Sequence, residues 1–221
     1  MIRRVPAPPT SPDSKTIRIG KAICRLVAVA PWSWPLVAGS VGRFFDRAAA
    51  GWDDRTGAGS PSHLATLAAG LDELRIRPER VLDLGCGTGE GTLFLAREFP
   101  TAGIRGVDLS EAMISKAQSK IGLDPEGRVS FRLADAANLP FGDDSFDLVA
   151  QVNTPIFFKE IDRVLRPGGG LVIASSLGDS TPFSTPERLV KRKLARYDFT
   201  RIISGEAGEG TWIAARKLET R

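Results

Sequence analysis

The chain reads as an α/β protein whose mostly parallel sheet is covered by helices on both faces. Three observations predict this. Short apolar runs alternate with helical segments from about residue 76 onward, and such alternation lays strands side by side through crossover helices. The run Val81-Leu82-Asp83-Leu84 enters a loop with glycine at 85, 87, 89 and 91. A second run, Ile104–Leu109, carries an acid, Asp108, at its end. Strand, glycine loop and helix start together suit a nucleotide, because N–H groups at a helix N-terminus face outward and glycine lets a ligand press on bare backbone.

The elements follow in order. Residues 1–16 hold four prolines and little that could enter a core, which predicts a flexible, basic arm. Residues 17–75 are expected to form a helical cap: a helix over about 17–30, a Pro-Trp turn at 31–35, a helical stretch over 41–55, and a helix over 62–75 capped by Ser62. The apolar segment before Trp32 also suits a cleaved signal or peripheral membrane contact, but Arg25, Pro31 and Pro35 interrupt it well short of the roughly 20 apolar residues a bilayer span needs. The core, 76–221, is expected to place strands near 80–84, 104–108, 128–133, 146–151, 170–175, 199–204 and 211–217. Helices are expected over 89–98, 110–120, 157–165 and 186–196, with Ser110 capping the second.

Composition narrows the chemistry. The net charge of +4 lies within the first 21 residues, where Arg3, Arg4, Lys15, Arg18 and Lys21 face Asp13 alone. The rest of the chain is electrically balanced, which argues against a nucleic-acid groove. One histidine and two cysteines, Cys24 and Cys86, leave no metal-ligand spacing, so no metal is expected. Reduced thiols fit a cytoplasmic protein.

The two acids then select the ligand. Asp83, inside the first strand, cannot help a pyrophosphate but can reach a cationic amino group. Asp108, at the end of the second strand, can accept hydrogen bonds from two ribose hydroxyls. A molecule with an ammonium, a ribose and no phosphate meets both, and S-adenosylmethionine is such a molecule.

Here the motifs reach a resemblance. Val81–Thr92, Val107-Asp108-Leu109-Ser110, Ala134-Asp135-Ala136 with Leu139-Pro140-Phe141, Phe146-Asp147-Leu148-Val149 and Arg163–Gly169 stand in order across residues 76–175. The chain resembles the class I S-adenosylmethionine-dependent methyltransferases, of the small-molecule type. The resemblance implies a Rossmann-like seven-stranded sheet of order 3-2-1-4-5-7-6 with the last strand antiparallel. It also implies that Asp83, Gly85, Cys86 and Gly87 line the methionine and ribose part of a cofactor site, and that Asp108 takes the ribose. Leu109 would lie against adenine, Asp135 would accept its amino group, Ala136 would offer its backbone N–H, and Gln151 would sit near the methionine.

The expected function is methyl transfer to O, N or C of a small, apolar or aromatic acceptor. A non-catalytic S-adenosylmethionine-binding module and a methyltransferase acting on protein or nucleic acid stand as alternatives. A sulfonium methyl is already electrophilic, so the protein needs chiefly to align the acceptor and exclude water. Candidates for a base or an acceptor contact are His63, Asp53 and Asn153. The step from Val152 to Glu160 is about eight residues shorter than the family pattern. It leaves three outcomes open: an open pocket, cover from the N-terminal region, or a degenerate helix.

Overall fold

The computed structural model describes residues 14–122 and 127–219. Helix α1 spans Ser14–Val29 and begins inside the stretch expected to be an arm, whose residues 1–13 lie outside the described residues. A 3-10 turn over Pro31–Leu36 follows, then α2 (Ala38–Ala48) and α3 (Trp52–Thr56). The single helical stretch expected over 41–55 is therefore two helices, broken where Gly51 takes a positive φ of 66°. Helix α4 runs over Pro61–Leu74, and its cap is Ser60 rather than Ser62: the Ser60 hydroxyl accepts the His63 N–H at 3.2 Å. Proline at the first helical position, which lacks the N–H a helix start would leave unpaired, moves the start one residue earlier.

The core alternates β1 (Arg80–Leu84), α5 (Glu90–Glu98), β2 (Gly103–Asp108), α6 (Glu111–Lys120), β3 (Val129–Leu133), β4 (Phe146–Val152), α7 (Phe158–Val164), β5 (Leu165–Ser175), α8 (Glu187–Leu194), β6 (Phe199–Ala207) and β7 (Gly210–Lys217). The sheet has the order β3-β2-β1-β4-β5-β7-β6, with β7 antiparallel to both of its neighbours. Strand β5 starts at Leu165, five residues earlier than expected, because Leu165 pairs with Phe146 across a register shift before the main ladder resumes at Gly170.

Alternate residues of the strands feed two cores, as the two-residue period requires. Leu82, Leu84, Val149 and Leu171 pack on one face with Ile161 and Val164 of α7 and Leu194 of α8. Val81, Leu148, Ala150 and Val172 pack on the other with Leu64, Leu67 and Leu71 of α4 and Leu95 of α5. Truncating one of these leucines to alanine typically costs about 2–5 kcal/mol. At the far end of the sheet from the glycine loop, buried Asp147 accepts the N–H groups of Glu79 and Arg80, both at 2.7 Å, and pairs with Arg166 at 2.8 Å. Two of the motif residues thus anchor the first strand.

Candidate cofactor and acceptor site

The chain runs from β1 to β2 on one side, while β4 lies on the other side of β1. At such a switch point the loops beyond the strand ends part and leave a crevice. A cavity of about 450 Å³ opens there, within the usual range of small-molecule sites. Its walls include Asp83, Gly85, Cys86 and Gly87 from the first loop, Asp108 and Leu109 from the second, and Asp135 and Ala136 from the third. Gln151 is not among the lining residues. Its amide donates to the Thr154 carbonyl at 2.9 Å under the loop, and its buried Oε1 has no partner among the described residues.

Asp108 is held by backbone. Its carboxylate accepts the Gly87 N–H and the Ser110 N–H, each at 2.9 Å. Burial pushes its pKa up, and those N–H bonds oppose the rise. The Gly85 and Cys86 N–H groups both reach the Val107 carbonyl, at 2.8 and 2.9 Å, which folds the loop back onto β2. Gly85 and Gly87 have φ of 68° and 53°, where side chains are strained. At Gly85 a Cβ would strike the Thr154 side chain, whereas at Gly87 it would meet nothing within 4 Å. Bare backbone at Gly87 therefore fronts open space.

Asp83 lies deeper. The Thr92 hydroxyl donates to it at 2.6 Å, and burial raises its pKa to about 7. The Cys86 thiol, also buried, is pushed well above its usual value, first by burial and then by the two acids nearby.

Asp135 is engaged differently. It accepts the N–H of Ala137 at 2.8 Å, and the indole N–H of Trp34 reaches both its oxygens, at 2.8 and 2.9 Å. Trp34 packs edge-on against Phe157 with ring centroids 5.1 Å apart. Leu109 and Ala136 join that cluster. The short segment after β4 is thus covered by the cap, one of the three outcomes left open. Nothing in the sequence singled out Trp34 over Trp32, because their fates depend on the rotation of one 3-10 turn.

Further cover comes from Phe44, Phe45 and Trp52 of the cap and from Phe183 in the loop before α8. Phe45 is the hub, with ring centroids 5.3 Å from Phe44, 5.6 Å from Trp52 and 5.5 Å from Phe183. The Phe183 loop escaped the sequence reading, since Ser-Thr-Pro-Phe-Ser carries only a turn signal. The close approach at Gly20, where a Cβ would lie 2.6 Å from Pro182, shows that α1 seats this loop.

The three base or contact candidates separate. His63 lines the cavity, and burial lowers its pKa, with the Glu90 charge opposing. Asn153 also lines it, but its amide donates to the Ser176 hydroxyl at 2.8 Å and accepts the Ser176 N–H at 3.0 Å, clamping the ends of β4 and β5. Asp53 is not a lining residue. It takes Lys120 at 2.6 Å and the Thr88 hydroxyl, and Lys120 also pairs with Glu90 at 2.7 Å. Burial alone would raise the pKa of Asp53, but these partners hold it below its ordinary value. It acts as a latch between the cap and the glycine loop. Asp46 of α2 is a second latch, accepting the Ser110 hydroxyl at 2.6 Å.

The residues present fit a nucleoside carrying an amino-acid chain. An oriented acid stands beside bare backbone, a deeper acid lies further in, and an apolar wall leads on from them. A family model described as a methyltransferase domain matches residues 81–169. The O-methyltransferase cnsE of Penicillium expansum is 41% identical over 109 residues, 46% of this chain and 39% of that protein. The ubiquinone/menaquinone biosynthesis C-methyltransferase UbiE of Geobacter sulfurreducens is 35% identical over 133 residues, 56% of this chain and 49% of that protein. The chain therefore spans about half or less of the length of these curated relatives. Among solved structures, the geranyl diphosphate C-methyltransferase of Streptomyces coelicolor superposes with a TM-score of 0.67 at 15% identity, covering 82% of this chain and 98% of that one. Residues 81–169 therefore carry the signature of a methyltransferase domain, and the sheet order is shared with solved S-adenosylmethionine-dependent methyltransferases. Among the described residues, no cluster of His, Cys, Asp and Glu could hold a metal ion, and no helix is long and apolar enough to cross a membrane.

Proposed function

We propose that this chain transfers a methyl group from S-adenosylmethionine to O, N or C of a small apolar or aromatic acceptor. The observation that carries the reading is a single cavity that joins the Asp83–Asp108 loop wall to the Phe44, Phe45, Trp52 and Phe183 wall. When bound, the cofactor supplies an electrophilic sulfonium methyl. Asp108 receives the ribose hydroxyls with oxygens already oriented by two backbone N–H groups. Asp83 faces the cationic end of the ligand. The aromatic wall excludes water and aligns the acceptor, which supplies most of what this chemistry asks of a protein. His63 stands as neutral imidazole at neutral pH, because burial lowers its pKa, and can take a proton from an acidic acceptor.

A second reading, a cofactor-binding module without transfer, draws on one observation: Trp34 holds the carboxylate assigned to adenine. Calorimetric titration with S-adenosylmethionine, with NADH as the control, is the first test. The expected result is micromolar binding of the first alone, followed by S-adenosylhomocysteine release with apolar phenolic or amine acceptors. Binding without release across such a panel would favour the module, and binding of neither ligand would overturn both readings.

A further inference from the structure

The cap has a second face that the site does not use. From Ser14 to Phe45 the chain carries no acidic residue, while Lys15, Arg18, Lys21, Arg25 and Arg43 give it five positive charges. Helix α1 turns Cys24, Val27 and Ala28 inward. Beyond Ser14, its exposed positions, Lys15, Arg18, Ile19, Ala22, Arg25, Leu26 and Val29, recur at three- and four-residue spacing and so form one stripe. Apolar and cationic side chains alternate along it. The stripe leads into the 3-10 turn, where Trp32 is 78% exposed and Leu36 is 80% exposed while Ser33 and Trp34 turn in. Among the described residues, Lys21 faces Asp179 at 3.9 Å, but Lys15, Arg18 and Arg25 have no acidic partner.

An exposed Trp and a run of large aliphatic side chains on consecutive elements are not the ordinary scatter of surface hydrophobics. A Trp set between apolar neighbours and unpaired cations suits the boundary of a bilayer, where the ring sits among the headgroups and the cations meet lipid phosphates. Charge decides the occupant. In a two-fold dimer the same patch would meet itself and bring like charges together, whereas an anionic lipid surface complements every charge on the stripe.

We propose that the outer face of α1, with Trp32 and Leu36, docks on an anionic lipid bilayer. The helix lies in the interface plane, as an amphipathic basic helix does. The cap's other face lines the cavity, and Phe44, half-exposed, belongs to both the cavity wall and the surface. Docking and the methyltransferase site are therefore separate functions of one cap, and the first stands without the second.

The test uses the full chain and sedimentation with vesicles of phosphatidylcholine alone or mixed with phosphatidylglycerol. Partition onto the anionic vesicles is expected to exceed that onto the neutral ones by about tenfold or more and to fall with added salt. Brominated lipids are expected to quench tryptophan emission, with the quenching lost in Trp32→Phe. The Trp32→Glu/Leu36→Glu variant is expected to lose binding to both vesicle types. Arg18→Gln/Arg25→Gln, which leaves every apolar contact in place, is expected to lose only the anionic preference. Circular dichroism and an unchanged affinity for S-adenosylmethionine show that the variants fold. Equal partition of the wild type onto both vesicle types, absence of quenching, or wild-type binding by Trp32→Glu/Leu36→Glu would overturn the proposal. So would a concentration-dependent dimer, seen by light scattering, that the same variant dissolves, because a second copy would then cover the face.

Discussion

Asp108 and Asp135 stand just at or beyond the ends of neighbouring strands, and each accepts an N–H from a residue two positions on. Their second partners differ. Asp108 takes Gly87 of the glycine loop, so the core alone orients it. Asp135 takes the indole of Trp34, about a hundred residues away in the chain, so the cap orients it. One end of the site is therefore built by local geometry that survives any movement of the cap. The other end exists in this form only while the cap is seated. The same division runs through the latches, since Asp46 and Asp53 reach from the cap to Ser110 and Lys120 of the core.

The sharpest way to break the comparison is Asp108→Ala. On the proposed placement of the ribose it removes two charge-assisted bonds, each worth roughly 1.5–3 kcal/mol. Affinity for S-adenosylmethionine, read by calorimetry, is expected to fall by at least about a hundredfold. Unchanged affinity would remove the ribose from this acid.

A smaller effect separates the two glycines of the loop. Gly85→Ala combines a positive φ with a collision against Thr154 and is expected to destabilise the fold by about 1–3 kcal/mol, seen as a lower melting temperature. Gly87→Ala carries the backbone strain alone, about 1 kcal/mol, and places its methyl in open cavity space. Its main loss is expected in ligand affinity. Equal losses of stability in the two variants would mean that the cavity does not begin at Gly87.

Trp34→Phe probes the cap-built end. Phenylalanine keeps the ring against Phe157 but deletes the N–H, leaving a carboxylate short of a donor at a cost of about 1–3 kcal/mol. The free protein is expected to melt earlier. S-adenosylmethionine, whose adenine amino group can supply the missing donor, is expected to raise the melting temperature by more than it does in the wild type. An equal rise in both proteins would show that indole and adenine do not share Asp135.

The mildest effect is one of pH. Burial moves the Asp83 pKa from 3.8 to about 7 in the folded chain, so the folded state binds the proton more tightly than the unfolded state does. Stability is therefore expected to fall as pH rises from about 4 towards 7 and to level off above that. Cofactor affinity should move the opposite way. An ammonium prefers the ionised carboxylate, so affinity is expected to rise across pH 6 to 8 and to lose that slope in Asp83→Asn. A flat profile in the wild type would place the ammonium elsewhere.

Much of this was legible in the residues themselves. The short apolar runs, Ser110 as a cap and the glycine loop are local signals, and the first two strands fall within a residue of their expected places. Asp83, Asp108, Leu109, Asp135 and Ala136 converge on one cavity because each follows or precedes a strand end, and parallel strands bring equivalent ends together. Gln151 did not follow that logic. Its strand position was readable, but which way its amide turned depended on a carbonyl three residues later.

What the sequence by itself determined is the frame: a parallel sheet with its acids and glycines gathered at one edge. Strand period, glycine conformation and helix caps are set within a few neighbouring residues, so they can be read without a fold. The tertiary structure alone decided how the cap is used. The 3-10 turn over Pro31–Leu36 buries Trp34 and leaves Trp32 in water. Packing against Phe157 and Asp135 chooses between those outcomes, and no local pattern records a contact made across a hundred residues of chain.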